Sequence, residues 1–309
     1  MKVDFEGILR SERLAITRAL SFVENTNVLD MGLTDKLFPH LGLAYRIGVT
    51  GPPGAGKSSL VDQIIKFWRD QDKRVAVILV DPTSPFTGGA ILGDRVRMGQ
   101  HYSDKGVFIR SMATRGSRGG LALSAQDSAD IFDAAVFDVI IYETVGVGQV
   151  ELDVASAADT TMVVLVPESG DDIQAMKAGL MEIADLFVIN KADRPSANQA
   201  LTQIQSMLEM RTHDRDEWLP PVLKTSALNG EGMPDLTAAI VDHQTYLQTH
   251  GKIKQNLKER TRKKIQQYID ANVLGEFWTD EKRQVLDSAL SNDDLMGQQP
   301  SQIVTKLLS

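Results

Sequence analysis

Gly51-Pro52-Pro53-Gly54-Ala55-Gly56-Lys57-Ser58 fits the pattern G-x-x-x-x-G-K-S, and it lies between a short apolar run at 47 to 50 and an amphipathic stretch at 60 to 68. A strand, a glycine-rich turn and a helix in that order form a phosphate cradle. The glycines let the backbone curl so that successive N–H groups point inward at phosphate oxygens, and the helix adds its positive N-terminal end. Lys57 is expected to bridge the β- and γ-phosphates of a nucleoside triphosphate, and Ser58, followed by Ser59, to ligate Mg²⁺.

Working outward, further apolar runs fall at 75 to 80, 107 to 110, 139 to 142, 161 to 166, 186 to 189 and 222 to 224. Most are apolar on both faces, which predicts strands buried under helices on both sides and hence a mainly parallel α/β sheet flanked by helices. In such sheets ligands bind beyond the carboxyl ends of the strands. Asp81 follows the second run and Glu143 the fourth, in Glu143-Thr144-Val145-Gly146, where Gly146 can offer its N–H to a γ-phosphate. With Asp94, these acids are candidate partners of Mg²⁺, directly or through water. The alternative for each is a helix cap or a solvated loop acid.

Asn190-Lys191-Ala192-Asp193 follows the sixth run and fits N-K-x-D. The Asp193 carboxylate can accept from guanine N1–H and from its 2-amino group, a pairing that adenine does not offer. Asn190 is expected to brace the loop and Lys191 to lie along the base. Thr225-Ser226-Ala227, just past the last run and followed by Leu228, resembles a second base-contacting loop that offers a backbone N–H to guanine O6. GTP or GDP with Mg²⁺ is therefore the expected ligand set.

Before this body, residues 5 to 24 carry a helical apolar stripe; after about 250, apolar positions recur near every fourth residue among seven Lys and Arg between 252 and 264, with further helical stretches near 279 to 291 and 300 to 308. The expected organisation is a helical extension over 1–44, a P-loop domain over 45–250 and a helical arm over 251–309. The 309 residues are 42% hydrophobic and 24% charged, ordinary globular usage, and the net charge of −8 opposes adhesion to nucleic acid or anionic membrane. No cysteine is present and no apolar run approaches the ~18 residues of a membrane span, so neither nucleic acid nor membrane is expected as a partner and a cytoplasmic setting is expected.

The stretch from Asp81 to Asp94 (Asp81-Pro82-Thr83-Ser84-Pro85-Phe86-Thr87-Gly88-Gly89-Ala90-Ile91-Leu92-Gly93-Asp94), the stretch Arg110-Ser111-Met112-Ala113-Thr114-Arg115-Gly116, and Glu143-Thr144-Val145-Gly146-Val147-Gly148-Gln149 resemble the MeaB/ArgK-type GTPases, G-protein chaperones of adenosylcobalamin-dependent methylmalonyl-CoA mutase. The resemblance implies a SIMIBI-class P-loop core, slow intrinsic GTP hydrolysis stimulated by a partner, and a homodimer formed through the C-terminal arm. It further implies a partner acyl-CoA mutase whose cofactor loading is gated and protected, with a cobalamin adenosyltransferase as a further candidate member of the complex. Carried over by position, Lys57, Asp81 and Glu143 are catalytic, Asp81, Asp94 and Glu143 form a magnesium and switch cluster, and Arg97, Asp171 and Lys177 take part in switching. Val147 follows Gly146 and cannot orient water, which leaves Asp81 or Gln149 for that task. The segment 168 to 179 is expected to couple nucleotide state to the partner. Rival readings are a P-loop kinase linked to amino-acid transport and a metallochaperone GTPase; the second needs clustered Cys or His, and the five histidines are scattered.

Overall fold

The computed structural model describes residues 3–25, 31–82, 99–101, 103–114, 123–144, 150–168, 180–210, 217–290 and 300–308. The chain divides into two compact units, 1–260 and 261–309. In the first, strands β1 (Tyr45–Thr50), β2 (Val75–Pro82), β3 (Val107–Thr114), β4 (Val139–Thr144), β5 (Thr160–Leu165), β6 (Leu186–Ile189) and β7 (Val222–Lys224) form one sheet in the order β3-β2-β4-β1-β5-β6-β7. Every neighbouring pair is parallel. The helices, in chain order, are α1 (Phe5–Leu9), α2 (Arg13–Asn25), α3 (Met31–Leu37), α4 (Lys57–Arg69), α5 (Leu123–Ala134), α6 (Val150–Ala157), α7 (Leu180–Ile183), α8 (Ala197–Glu209), α9 (Met233–Thr249) and α10 (Lys252–Phe277), the last containing the division between units.

Side-chain alternation along the strands sorts the core. Ile47, Val49, Val77 and Ile141 pack with Leu60 and Ile64 of α4 and with Leu236 and Ile240 of α9 on one face. Ala76, Ile78, Ile140 and Tyr142 pack with Ile16 and Leu20 of α2, Phe132 of α5 and Val154 of α6 on the other. A third cluster joins β5 and β6 to α8 through Val163, Phe187, Ile189, Ala200 and Ile204. Each fully buried Leu, Ile or Val contributes about 1.5–3 kcal/mol, so covering both faces is what makes continuous apolar strands affordable in water.

Two features differ from what periodicity alone suggests. The N-terminal stripe is broken into α1 and α2, because Ser11 turns left-handed (φ 60°) and its hydroxyl donates to Ala135 O at 2.6 Å, pinning the turn beyond the end of α5. Strand β3 runs four residues past the expected run at 107 to 110, through Ser111 to Thr114, and carries Arg110 in mid-strand. Arg110 can sit there because its guanidinium meets Glu24 of α2 in an ion pair, so the charge is answered by the N-terminal helix.

Connections leave β1 and β4 in opposite directions: β1 leads through α4 on one face to β2, and β4 leads through α6 on the other face to β5. These strands are neighbours, so a crevice opens beyond their carboxyl ends. In the second unit, the rest of α10 is followed by α11 (Asp280–Leu290) and α12 (Pro300–Leu308). Among the described residues no helix is long and apolar enough to cross a membrane.

Candidate functional site

The phosphate loop lies at the mouth of that crevice, and its glycines are required by what surrounds them. Gly51 has φ +138°, and a Cβ there would lie 2.0 Å from Val164 O of β5; Gly56 has φ +86°, and a Cβ there would lie 2.3 Å from Asn190 Nδ2. The loop is thus pressed against β5 on one side and the base-reading corner on the other. Gly56 ends the loop and α4 begins at Lys57. The buried ammonium of Lys57 donates to Gly51 O at 2.8 Å and Pro52 O at 2.9 Å, which folds the side chain back over the loop. Ser58 Oγ donates to Glu143 Oε1 at 2.5 Å, and that carboxylate is buried at the end of β4. A hydroxyl and a carboxylate in contact, all oxygen, are the donor chemistry that Mg²⁺ takes. Ser59 is exposed on the first turn of α4.

The base-reading corner is assembled from three loops. Asn190, buried after β6, donates from Nδ2 to Ala55 O of the phosphate loop at 2.9 Å. Its Oδ1 accepts from Ala227 N at 3.1 Å and from Thr225 Oγ1 at 3.3 Å. Lys191 is left-handed (φ 60°), which turns the chain so that Ala192 N reaches Thr225 O at 2.9 Å. Asp193 is exposed, and its Oδ1 accepts from Ser226 Oγ at 3.0 Å, leaving a carboxylate held in place at the surface where a base would cover it. Leu228, next in the loop, is 93% exposed.

Of the residues singled out in the sequence, the structure brings Gly51 through Ser58, Glu143, Asn190, Lys191, Asp193, Ser226 and Ala227 to one edge of the sheet. Asp81 has its backbone at the end of β2, paired with Ala113; the position of its side chain, and Asp94, Arg97, Gly146, Asp171 and Lys177, lie outside the described residues, as does most of the segment 168 to 179. Sequence reasoning placed Thr225 in the second base loop and Ala55 in the phosphate loop, and missed that Asn190 ties both loops together through the Thr225 hydroxyl, the Ala227 N–H and the Ala55 carbonyl.

Comparison with known proteins agrees with this geometry. The family model described as "Methylmalonyl Co-A mutase-associated GTPase MeaB" matches residues 16–282. A putative GTPase of Pyrococcus abyssi is 45% identical over 280 residues, covering 90% of this chain and 86% of that protein. GTPase ArgK of Escherichia coli is 37% identical over 279 residues, covering 88% and 84%. A crystal structure described as an LAO/AO transport system kinase superposes with a TM-score of 0.72 at 28% identity, covering 98% of this chain and 95% of that one. The sheet order, the phosphate loop, the guanine-type corner and a family match across most of the sequence agree: the chain belongs to the MeaB family of P-loop GTPases.

Proposed function

We propose that the protein is a GTP-driven chaperone of an adenosylcobalamin-dependent acyl-CoA mutase, with methylmalonyl-CoA mutase the first candidate, and that it acts as a homodimer through the arm at 251–309. The observation that carries the nucleotide half is the Asn190 bridge, which joins a phosphate loop to a loop whose Asp193 carboxylate is set for guanine. The family description supports the mutase half.

In this reading Asp193 accepts from guanine N1–H and the 2-amino group, Lys191 lies along the base, and Ala227, with Leu228 beside it, closes the second side. The loop N–H groups from Gly54 to Ser58 hold the phosphates, since Pro52 and Pro53 have no N–H to give. Lys57 exchanges its carbonyl contacts for phosphate oxygens and offsets charge that builds in the transition state. Mg²⁺ would be held by Ser58 and Glu143, with Asp81 and Asp94 as further candidate partners, and would neutralise charge on the β- and γ-phosphates. Ser58 must then give up its hydrogen bond to Glu143, so the two residues respond together to ligand. Gly146 donates to the γ-phosphate, Asp81 or Gln149 orients water, and Arg97, Asp171 and Lys177 relay nucleotide state to the mutase. Turnover is slow until the mutase stimulates it, and the setting is cytoplasmic.

Affinities for GDP, ADP and XDP test the base site: wild type should bind GDP most tightly, and Asp193→Asn should shift preference toward XDP, because the amide presents a donor to the 2-amino group and suits a 2-oxo group. Tighter ADP than GDP binding by wild type sinks it. Phosphate release with and without the mutase tests the partner, and Lys177→Ala should lose the stimulation while keeping the basal rate. The kinase reading, favoured only by the description of one structural neighbour, predicts label from γ-phosphate on an acceptor instead of release to water.

A further inference from the structure

The strands that flank the crevice both end in threonine, Thr50 on β1 and Thr144 on β4. Main-chain pairing between these strands stops one residue earlier, at Val49–Glu143. Each threonine is still paired on its outer side, Thr50 with Val163 of β5 and Thr144 with Val80 of β2. At this last position β1 and β4 are joined by their side chains: Thr144 Oγ1 donates to Thr50 Oγ1 at 3.1 Å, and neither residue is more than 1% exposed. Gly51 of the phosphate loop follows the one, and the loop containing Gly146 follows the other. Side-chain alternation places this hydroxyl pair on the α6 face of the sheet, behind Glu143 and its bond to Ser58 on the α4 face.

Valine has the shape of threonine and the same liking for strands, and two valines here would avoid burying hydroxyls that cost about 1–3 kcal/mol each when unmet. A satisfied neutral hydrogen bond returns only about 1 kcal/mol, so stability is a poor account of the pair. Distance is a better one, since carbon atoms prefer about 3.5–4.0 Å and would hold the strand ends farther apart than the oxygens do.

We propose that the Thr50–Thr144 bridge is a positioning element for GTP hydrolysis, fixing the separation of the ends of β1 and β4, from which the phosphate loop and the chain after Thr144 leave, so that groups on both address the same γ-phosphate. It rests on the GTPase reading above. Neither threonine touches nucleotide; both act through the loops that they begin.

The test compares Thr50→Val/Thr144→Val, which removes the bridge without leaving a lone buried hydroxyl, with Thr50→Ser and Thr144→Ser, which keep it. Single-turnover GTP hydrolysis at saturating Mg²⁺, kcat and KM separately, GDP affinity and thermal unfolding are measured in the full chain. The double valine variant should fold, bind GDP within about twofold of wild type, and hydrolyse GTP about tenfold more slowly through kcat, since displacement by a fraction of an ångström at a reacting centre costs on that order. Both serine variants should hydrolyse at the wild-type rate. Should the double variant not fold, Thr144→Ala, which removes the bridge with less bulk, must show the same slow kcat. Wild-type rates in either bridge-deleted protein, or serine variants as slow as valine ones, overturn the bridge alone. A wild type that neither binds GDP nor hydrolyses GTP overturns the GTPase reading and the bridge with it.

Discussion

The two edges of the sheet use polar groups in opposite ways. At the amino end, charges and hydroxyls are buried and answered within the protein: Arg46 of β1 pairs with Asp130 at 2.9 Å and Asp133 at 3.1 Å, and Asp159 pairs with Arg260 at 2.5 Å. The Asp133 carboxylate also accepts the N–H groups of Gly42, Leu43 and Ala44 as the chain enters β1. Beside them Thr160 contacts both the Tyr45 hydroxyl and, at 2.7 Å, His243 Nδ1, with Asp185 3.5 Å from the other ring nitrogen. At the carboxyl end the bonds are provisional: Lys57 rests on carbonyls, Ser58 on Glu143, and Asp193 stands at the surface with one orienting hydroxyl. Burial makes unmet polar groups costly, so the amino edge is closed for stability, while groups at the carboxyl edge can change partners when a ligand arrives.

The largest effect should come from Gly51→Ala. The new Cβ meets Val164 O at 2.0 Å on a backbone at φ +138°, which L residues avoid, so a loss of about 3 kcal/mol or more in urea unfolding and loss of GDP binding by calorimetry are expected. Wild-type affinity in a stable variant would mean that the carboxyl edge is looser than drawn. Next, Ser226→Ala should weaken GDP binding about tenfold, the scale of one oriented hydrogen bond, with little change in unfolding because Asp193 is exposed. Unchanged GDP affinity would show that Asp193 needs no orienting.

At the amino edge, Val136 is left-handed (φ 58°) and 54% exposed, a strained place for a β-branched residue just before β4. Val136→Gly should stabilise by roughly 1 kcal/mol, read from the urea midpoint; destabilisation would mean that the valine side chain contributes packing.

The smallest net effect in the wild type belongs to Asp185 and His243, whose pH dependences oppose one another. Burial pushes the Asp185 carboxyl up from 3.8 to about 7, so the folded chain keeps a proton that the unfolded chain loses, and this contribution falls as pH rises from about 4 to 7. Burial drives His243 down from 6.5 to about 4, so its contribution is present above 6.5 and is lost as pH falls to 4. Over pH 4 to 6.5 the two slopes offset each other in the wild type, and Asp185, with 32% of its side chain exposed, has its share tempered by solvent. Relative to wild type, the stability of Asp185→Asn should rise with pH across that window and that of His243→Gln should fall. Parallel curves for all three proteins would show that the amino edge does not titrate as a pair.

Much of this was written in the sequence, for a local reason. Gly51 through Ser58 and Asn190 through Asp193 specify backbone conformation over a few residues, and continuous apolar runs specify strands buried on both faces, so the nucleotide class and the parallel sheet could be read without coordinates. The run at 107 to 110 stopped short of the last four residues of β3, Ser111 to Thr114, whose place in the strand rests on pairing with Leu79 to Pro82 of β2, a distant part of the chain. Strand order was equally hidden, since apolar runs carry no label for their neighbours. Only the fold could bring Ser58 to Glu143 across 85 residues, Thr50 to Thr144 across 94 and Asn190 to Ala55 across 135. Sequence sets what each loop can bind; the packing of parallel strands, stable only once both faces are covered, sets which loops meet, because a hydrogen bond between distant residues costs more chain entropy than it returns until the core between them has formed.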